Sequence, residues 1–69
     1  MRDINRIDPF VNRLAEFWKQ YPDLRFGQIL TIIERYGHID DFFYYEDDYL
    51  MKVLDKIDEE HPAPELLYM

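Results

Sequence analysis

The sequence has no cysteine, no serine, a single threonine (Thr31), two glycines and two histidines in 69 residues. Each shortage removes a class of protein. Without cysteine there is no disulfide to staple a small fold and no thiolate zinc site. The same absence fits a reducing compartment. With no thiol and one aliphatic hydroxyl, the usual nucleophiles of covalent catalysis are almost missing. Gly27 and Gly37 stand ten residues apart, so the phosphate-cradling loops of P-loop and dinucleotide-binding proteins are excluded. So few glycines also argue against a turn-rich all-β chain. No apolar run approaches the roughly 20 residues that span a bilayer, and Met1–Asp8 lacks the apolar segment of a signal peptide. These readings predict a soluble, cytoplasmic protein.

The hydrophobic share of 48% beside 33% charge predicts a folded chain rather than a disordered one. Its length allows one small domain. A chain this short buries only about 60% of its unfolded surface. Small domains of this kind need a staple. With disulfides excluded, an efficient helical core, self-association or both must serve, and a homodimer is expected.

The formal charge of −7 is unevenly placed. Met1–Tyr36 carries six Lys/Arg and five Asp/Glu, whereas Gly37–Met69 carries two Lys and ten Asp/Glu. The chain has no basic patch to displace counterions from phosphates, so direct nucleic-acid binding is not expected. An anionic membrane surface would repel it for the same reason. A partner steered by electrostatics would be a protein with a basic surface.

Hydrophobic spacing predicts three helices, over about 9–21, 24–36 and 47–59, in an all-α three-helix bundle with a short aromatic connector before the third. Asp8-Pro9 reads as an N-cap followed by a first helical position, where proline loses no hydrogen bond. Phe10, Val11, Leu14, Phe17, Trp18 and Tyr21 then share an arc of about 120°, and Pro22 ends the pattern. Asp23 is placed to cap the second helix. Its apolar residues Phe26, Ile29, Leu30, Ile32, Ile33 and Tyr36 cover roughly 160°, which predicts a central position. Gly37 suits the left-handed residue that follows a helix. Gly27, in the first turn, admits a close backbone approach or a frayed turn. Leu50, Val53, Leu54 and Ile57 form the stripe of the third helix, with Glu46, Asp47 and Asp48 at its positive dipole end. His61-Pro62-Ala63-Pro64 ends it. The tail Glu65–Met69 either packs on the core or caps a neighbour.

Candidates for chemistry are few. His38 and His61 read as solvated residues near helix ends rather than bases or ligands. Asp40, Asp41, Glu46, Asp47 and Asp48 supply oxygen ligands, but without the central glycine and terminal glutamate of a calcium loop. They read as a solvated, helix-capping cluster. No catalytic, metal-binding or cofactor-binding residue is assigned, and no enzymatic activity is expected. A small metal-dependent hydrolase would need a pocket that so short a chain can hardly form.

Twelve aromatic residues are many for this length. Phe10, Phe17, Trp18, Tyr21, Phe26 and Tyr36 fit core stripes. Phe42, Phe43, Tyr44, Tyr45, Tyr49 and Tyr68 are harder to bury together. Tyrosine is enriched where proteins meet, so Tyr44, Tyr45, Glu46, Asp47, Asp48 and Tyr49 form a candidate interaction surface. One or two residues of the Phe42–Tyr45 run can instead plug the end of the bundle.

The stretch Trp18–Leu30, WKQYPDLRFGQIL, followed by Phe42–Leu50, FFYYEDDYL, resembles a group of small uncharacterised proteins of bacteria and their phages. Their pattern is W-K-x-x-P-D-L-R-F-G-Q-L and then F-Y-x-E-D-x-x-L. The resemblance covers roughly half the chain. It implies a compact intracellular domain with a phage or prophage connection, and it supplies no catalytic residues. It also draws attention to Asp23, Arg25 and Gln28, off the apolar arc of the second helix. A structural ion pair of Arg25 with Glu46 or Asp47 would pin the third helix to the second. The function expected is a non-enzymatic protein–protein interaction module. The alternative is an acidic inhibitor that imitates nucleic acid in a basic cleft.

Overall fold

Asp3, five residues before the expected cap, opens the helical part of the chain. Its carboxylate accepts a hydrogen bond from the Asn5 backbone N–H at 2.9 Å, satisfying one of the free donors of a helix start. A 3-10 turn, Ile4–Arg6, leads directly into α1, Ile7–Lys19. Helix formation therefore begins before Asp8, which is already in the first turn. Pro9 still lies where its missing N–H costs nothing. The helix stops at Lys19, short of Tyr21, because proline disfavours helical backbone in the residue before it. The computed structural model describes residues 2–60.

The second helix also starts later than its sequence suggests. The cap is Arg25, not Asp23: its backbone N–H donates to Gln28 Oε1 at 2.7 Å, the returning half of a capping box. α2 accordingly spans Phe26–Gly37. Leu24 sits in the connection and is buried there.

At the far end of α2 the left-handed residue is His38, with φ 52° and ψ 46°, rather than Gly37. The Ile39 N–H bonds the Glu34 carbonyl at 3.0 Å and the His38 N–H bonds that of Arg35 at 3.4 Å. This is the double closure of a Schellman motif, completed by burial of Ile39. Gly37 serves a different need. A Cβ there would lie 2.9 Å from Val53 Cγ2, so glycine is what lets the third helix approach. Gly27, where a close approach was one expectation, has nothing within 4 Å of a Cβ position.

A second 3-10 turn, Phe42–Tyr44, forms the aromatic connector, and α3 runs Asp47–Glu60. The expected ending at His61 and the packing of the tail lie outside the described residues. Among the described residues there is no strand, and the fold is an all-α bundle of three helices. Side-chain bonds ascend along α1 and α3 together, from Arg6–Asp47 through Arg13–Asp55 to Gln20–Asp58. These two helices are therefore parallel, and α2 returns between their opposite ends. α3 makes close backbone approaches to both other helices, so it, not α2, is central.

Among the described residues the buried core is wholly apolar: Phe17 from α1, Leu24 from the corner, Ile29, Ile32 and Ile33 from α2, Ile39, then Val53, Leu54 and Ile57 from α3. Leu14, Trp18, Tyr21, Tyr36, Phe42, Tyr45 and Leu50 pack around it. Four residues of the predicted arcs fall outside, Phe10 and Leu30 being half-buried without joining this cluster. Val11 is 51% exposed, and Phe26 is exposed on one side while its ring stacks on Trp18.

Candidate interaction surface

The aromatic run 42–45 divides by its backbone. Asp41 caps the 3-10 turn by accepting from the Phe43 N–H at 3.0 Å. With three residues per turn, positions three apart fall on one side. Phe42 and Tyr45 therefore face the core and are half-buried. Phe43 and Tyr44 face outward, 84% and 77% exposed, with their rings edge-to-face at 5.1 Å. Of the predicted surface, Tyr44 is thus presented fully, and Phe43, a residue outside that set, stands beside it. The signal for Phe43 lay in the period: a 3-10 reading of the run separates it from Phe42.

Tyr45 and Tyr49 serve the fold. Their rings meet at 5.1 Å, and the Tyr49 hydroxyl donates to the Gly37 carbonyl at 2.6 Å. That bond ties the start of α3 to the end of α2.

The acidic part of the surface is largely answered from within the chain. Arg2 makes a two-pronged bond to Glu46, and Arg6 bonds Asp47. The ion pair anticipated between Arg25 and Glu46 or Asp47 is replaced by these two, since both carboxylates face the N-terminal turn. Arg25 itself is exposed at the opposite end of α2, and its side chain makes no ion pair among the described residues. The Arg2 hydrogen bond holds the Glu46 carboxyl below its ordinary range, against the opposing effect of desolvation. It raises the Arg2 guanidinium in turn. Asp48, Asp40 and Asp41 stay exposed, with no Lys or Arg between Tyr36 and Met51.

Farther along the α1–α3 seam, Arg13 bridges Asp55 at 2.9 Å and Asp58 at 2.5 Å. Burial works against its charge, but hydrogen bonds to Asp55 and Asp58 outweigh it, so its pKa is raised. At the other end of the bundle the Trp18–Leu30 stretch is absorbed by structure. Trp18 Nε1–H donates to the Leu24 carbonyl at 2.7 Å, its ring stacks on Phe26 at 5.7 Å, and Gln28 caps α2. Beside Trp18 lies an open apolar depression of about 280 Å³, lined by Ala15, Trp18, Lys19 and Pro22. It is smaller than ordinary ligand sites and has no converging polar groups.

No family model, curated protein or solved structure matches this chain. Among the described residues no group of three or more His, Asp or Glu side chains is placed to hold a metal ion. No described helix is long and apolar enough to cross a membrane. His38 is an exposed helix-end residue, and His61 and Tyr68 lie outside the described residues.

Proposed function

We propose that this chain is a non-enzymatic, cytoplasmic protein-interaction module, phage- or prophage-encoded, whose partner presents a basic surface. The observation that carries the reading is the pair Phe43 and Tyr44, two large rings exposed together on a turn that is itself fixed. The turn is held from below by Phe42 and Tyr45 and closed by the Asp41 cap. Rings held this way lose little freedom on binding, which is what makes aromatic residues effective anchors. Asp40 and Asp41 lie just before the rings in the chain and Asp48 opens α3 just after them, all three exposed, and this negative charge favours a partner with Lys or Arg around an apolar pocket.

The rival reading, an acidic inhibitor imitating nucleic acid, draws less support. Four of the carboxylates it would display, Glu46, Asp47, Asp55 and Asp58, are held by Arg2, Arg6 and Arg13. The test is affinity capture from host cytoplasm with the native chain and with Phe43→Ala/Tyr44→Ala. A partner kept by the native chain at high salt and lost by the variant supports the aromatic surface. A partner kept by both at low salt and released from both as salt rises supports the mimic instead.

A further inference from the structure

The apolar edge of α1 extends beyond the bundle it belongs to. Ile4, Ile7, Val11, Leu14, Trp18 and Tyr21 follow one another at alternating intervals of three and four residues, the spacing of a seam between helices. The second half of this seam, Leu14, Trp18 and Tyr21, packs against the chain's own core. The first half does not: Ile4 is 76% exposed, Ile7 44% and Val11 51%. In the 3-10 turn, side chains three apart eclipse, so Ile4 lies directly over Ile7. Val11 follows one α-turn later on the same side. Three branched aliphatic residues thus form a continuous exposed ridge about two turns long.

The charges beside the ridge indicate what covers it. Asp3 precedes Ile4 and Asp8 follows Ile7. Neither is among the carboxylates that Arg2, Arg6 and Arg13 hold, and the two arginines next to them in the sequence, Arg2 and Arg6, are engaged by Glu46 and Asp47. The ridge is therefore apolar at its centre and negative at its margins. A second copy of this chain would bring the same Asp3 and Asp8 to the contact and a net charge of −7 with them, which opposes self-pairing there. We infer that Ile4, Ile7 and Val11 are the docking edge for a cationic amphipathic helix of a partner protein, one that adds its apolar stripe to the α1 seam and sets Lys or Arg against Asp3 and Asp8. This rests on the reading of the chain as an interaction module but uses residues separate from the Phe43–Tyr44 turn.

The probe is a fluorescent Leu/Lys peptide of about 18 residues, long enough to be helical, patterned as an amphipathic helix. A scrambled peptide of the same composition serves as its control. Fluorescence anisotropy is read for the full chain and for Ile7→Glu/Val11→Glu, whose fold is verified by circular dichroism. We expect the patterned peptide to bind the native chain and to bind the variant about tenfold or more weakly, while the scrambled peptide binds weakly to both. Equal binding of the two peptides, or equal binding to native chain and variant, overturns the inference. A native chain that sediments as a dimer, with a monomeric variant, assigns the ridge to a second copy and also overturns it. Phe43→Ala/Tyr44→Ala in the same assay separates the two surfaces. Retained peptide binding supports the α1 edge. Loss in that variant, with binding intact in Ile7→Glu/Val11→Glu, moves the peptide to the aromatic turn, which overturns this inference and leaves the proposed function standing.

Discussion

The two ends of the bundle use similar residues for opposite purposes. At the α1–α2 corner, Trp18, Leu24, Phe26 and Gln28 are satisfied by one another: the indole N–H reaches a backbone carbonyl, its ring covers Phe26, and an amide side chain closes the helix start. At the other end, where α1 and α3 begin, Ile4, Phe43 and Tyr44 are more than three-quarters exposed. Ion pairs join the N-terminal residues Arg2 and Arg6 to Glu46 and Asp47 at the start of α3 there. The first end is closed on itself, and the second keeps apolar area and charge available. Aromatic content alone does not distinguish them. What does is how much of each ring the rest of the chain covers: Phe26 is 47% exposed, Phe43 84% and Tyr44 77%.

The sharpest way to break this contrast is to exchange core for surface. Phe17 and Ile33 are buried among apolar neighbours. Phe17→Ala should cost about 3–5 kcal/mol and Ile33→Ala about 2–5 kcal/mol. For a domain this small, that approaches the whole stability. Urea melts followed by circular dichroism should show both variants largely unfolded. Phe43→Ala/Tyr44→Ala should move the midpoint by no more than about 0.5 kcal/mol. Tyr45→Ala, which removes a half-buried ring packed at a tilt against Tyr49, should fall between them at about 1–2 kcal/mol. A large loss in the Phe43/Tyr44 variant would place those rings in the fold and remove the interaction surface.

The glycines divide the molecule in the same way. At Gly37 an added methyl meets Val53 at 2.9 Å and Ile39 at 3.1 Å. Gly37→Ala should therefore cost about 1–3 kcal/mol through overpacking. Nothing stands near a Cβ at Gly27. There the same substitution should stabilise by about 0.5–1 kcal/mol, the ordinary helix preference for alanine. Opposite shifts in thermal midpoint are expected, and equal signs would mean that the α2–α3 approach is looser than described.

Periodicity made the existence and order of the helices legible, along with the core stripes of α2 and α3. It misplaced their starts, because capping is a competition between neighbouring side chains. Asp8 and Asp23 are good caps by type, yet Asp3 and Gln28 make the bonds. It misjudged Val11 because a stripe records which residues can be covered, not how far the covering elements reach. The pairing of Arg25 failed for a related reason: charge counting shows that the acidic half needs cations, but not that α1 runs parallel to α3. Once that direction is known, Arg6 and Arg13, seven residues apart, fall on the seam. The candidate surface was half visible. Its rings were in the sequence, but the 3-10 turn decides which two are free.

The ion pairs along that seam provide the finest test, because burial sets their worth. The Arg13 side chain is 16% exposed and bonded to two carboxylates. Arg13→Ala should cost about 1 kcal/mol, since the guanidinium is shielded while Asp55 remains 63% exposed. Arg2 and Glu46 are mostly exposed, so Arg2→Ala should change stability barely measurably at moderate salt. The exposed pair should still leave a trace in pH dependence. Because the folded chain lowers the Glu46 pKa from its ordinary 4.5, the contribution of the pair is complete above that value and is lost as pH falls through the lowered one. Urea midpoints measured between pH 6 and pH 2 should decline for the native chain. Glu46→Gln should remove the small part of the decline that lies below about pH 4.5, and added salt should shrink the difference between the two curves. A Glu46→Gln curve parallel to the native one across this range would show that Arg2 does not hold the carboxylate in solution.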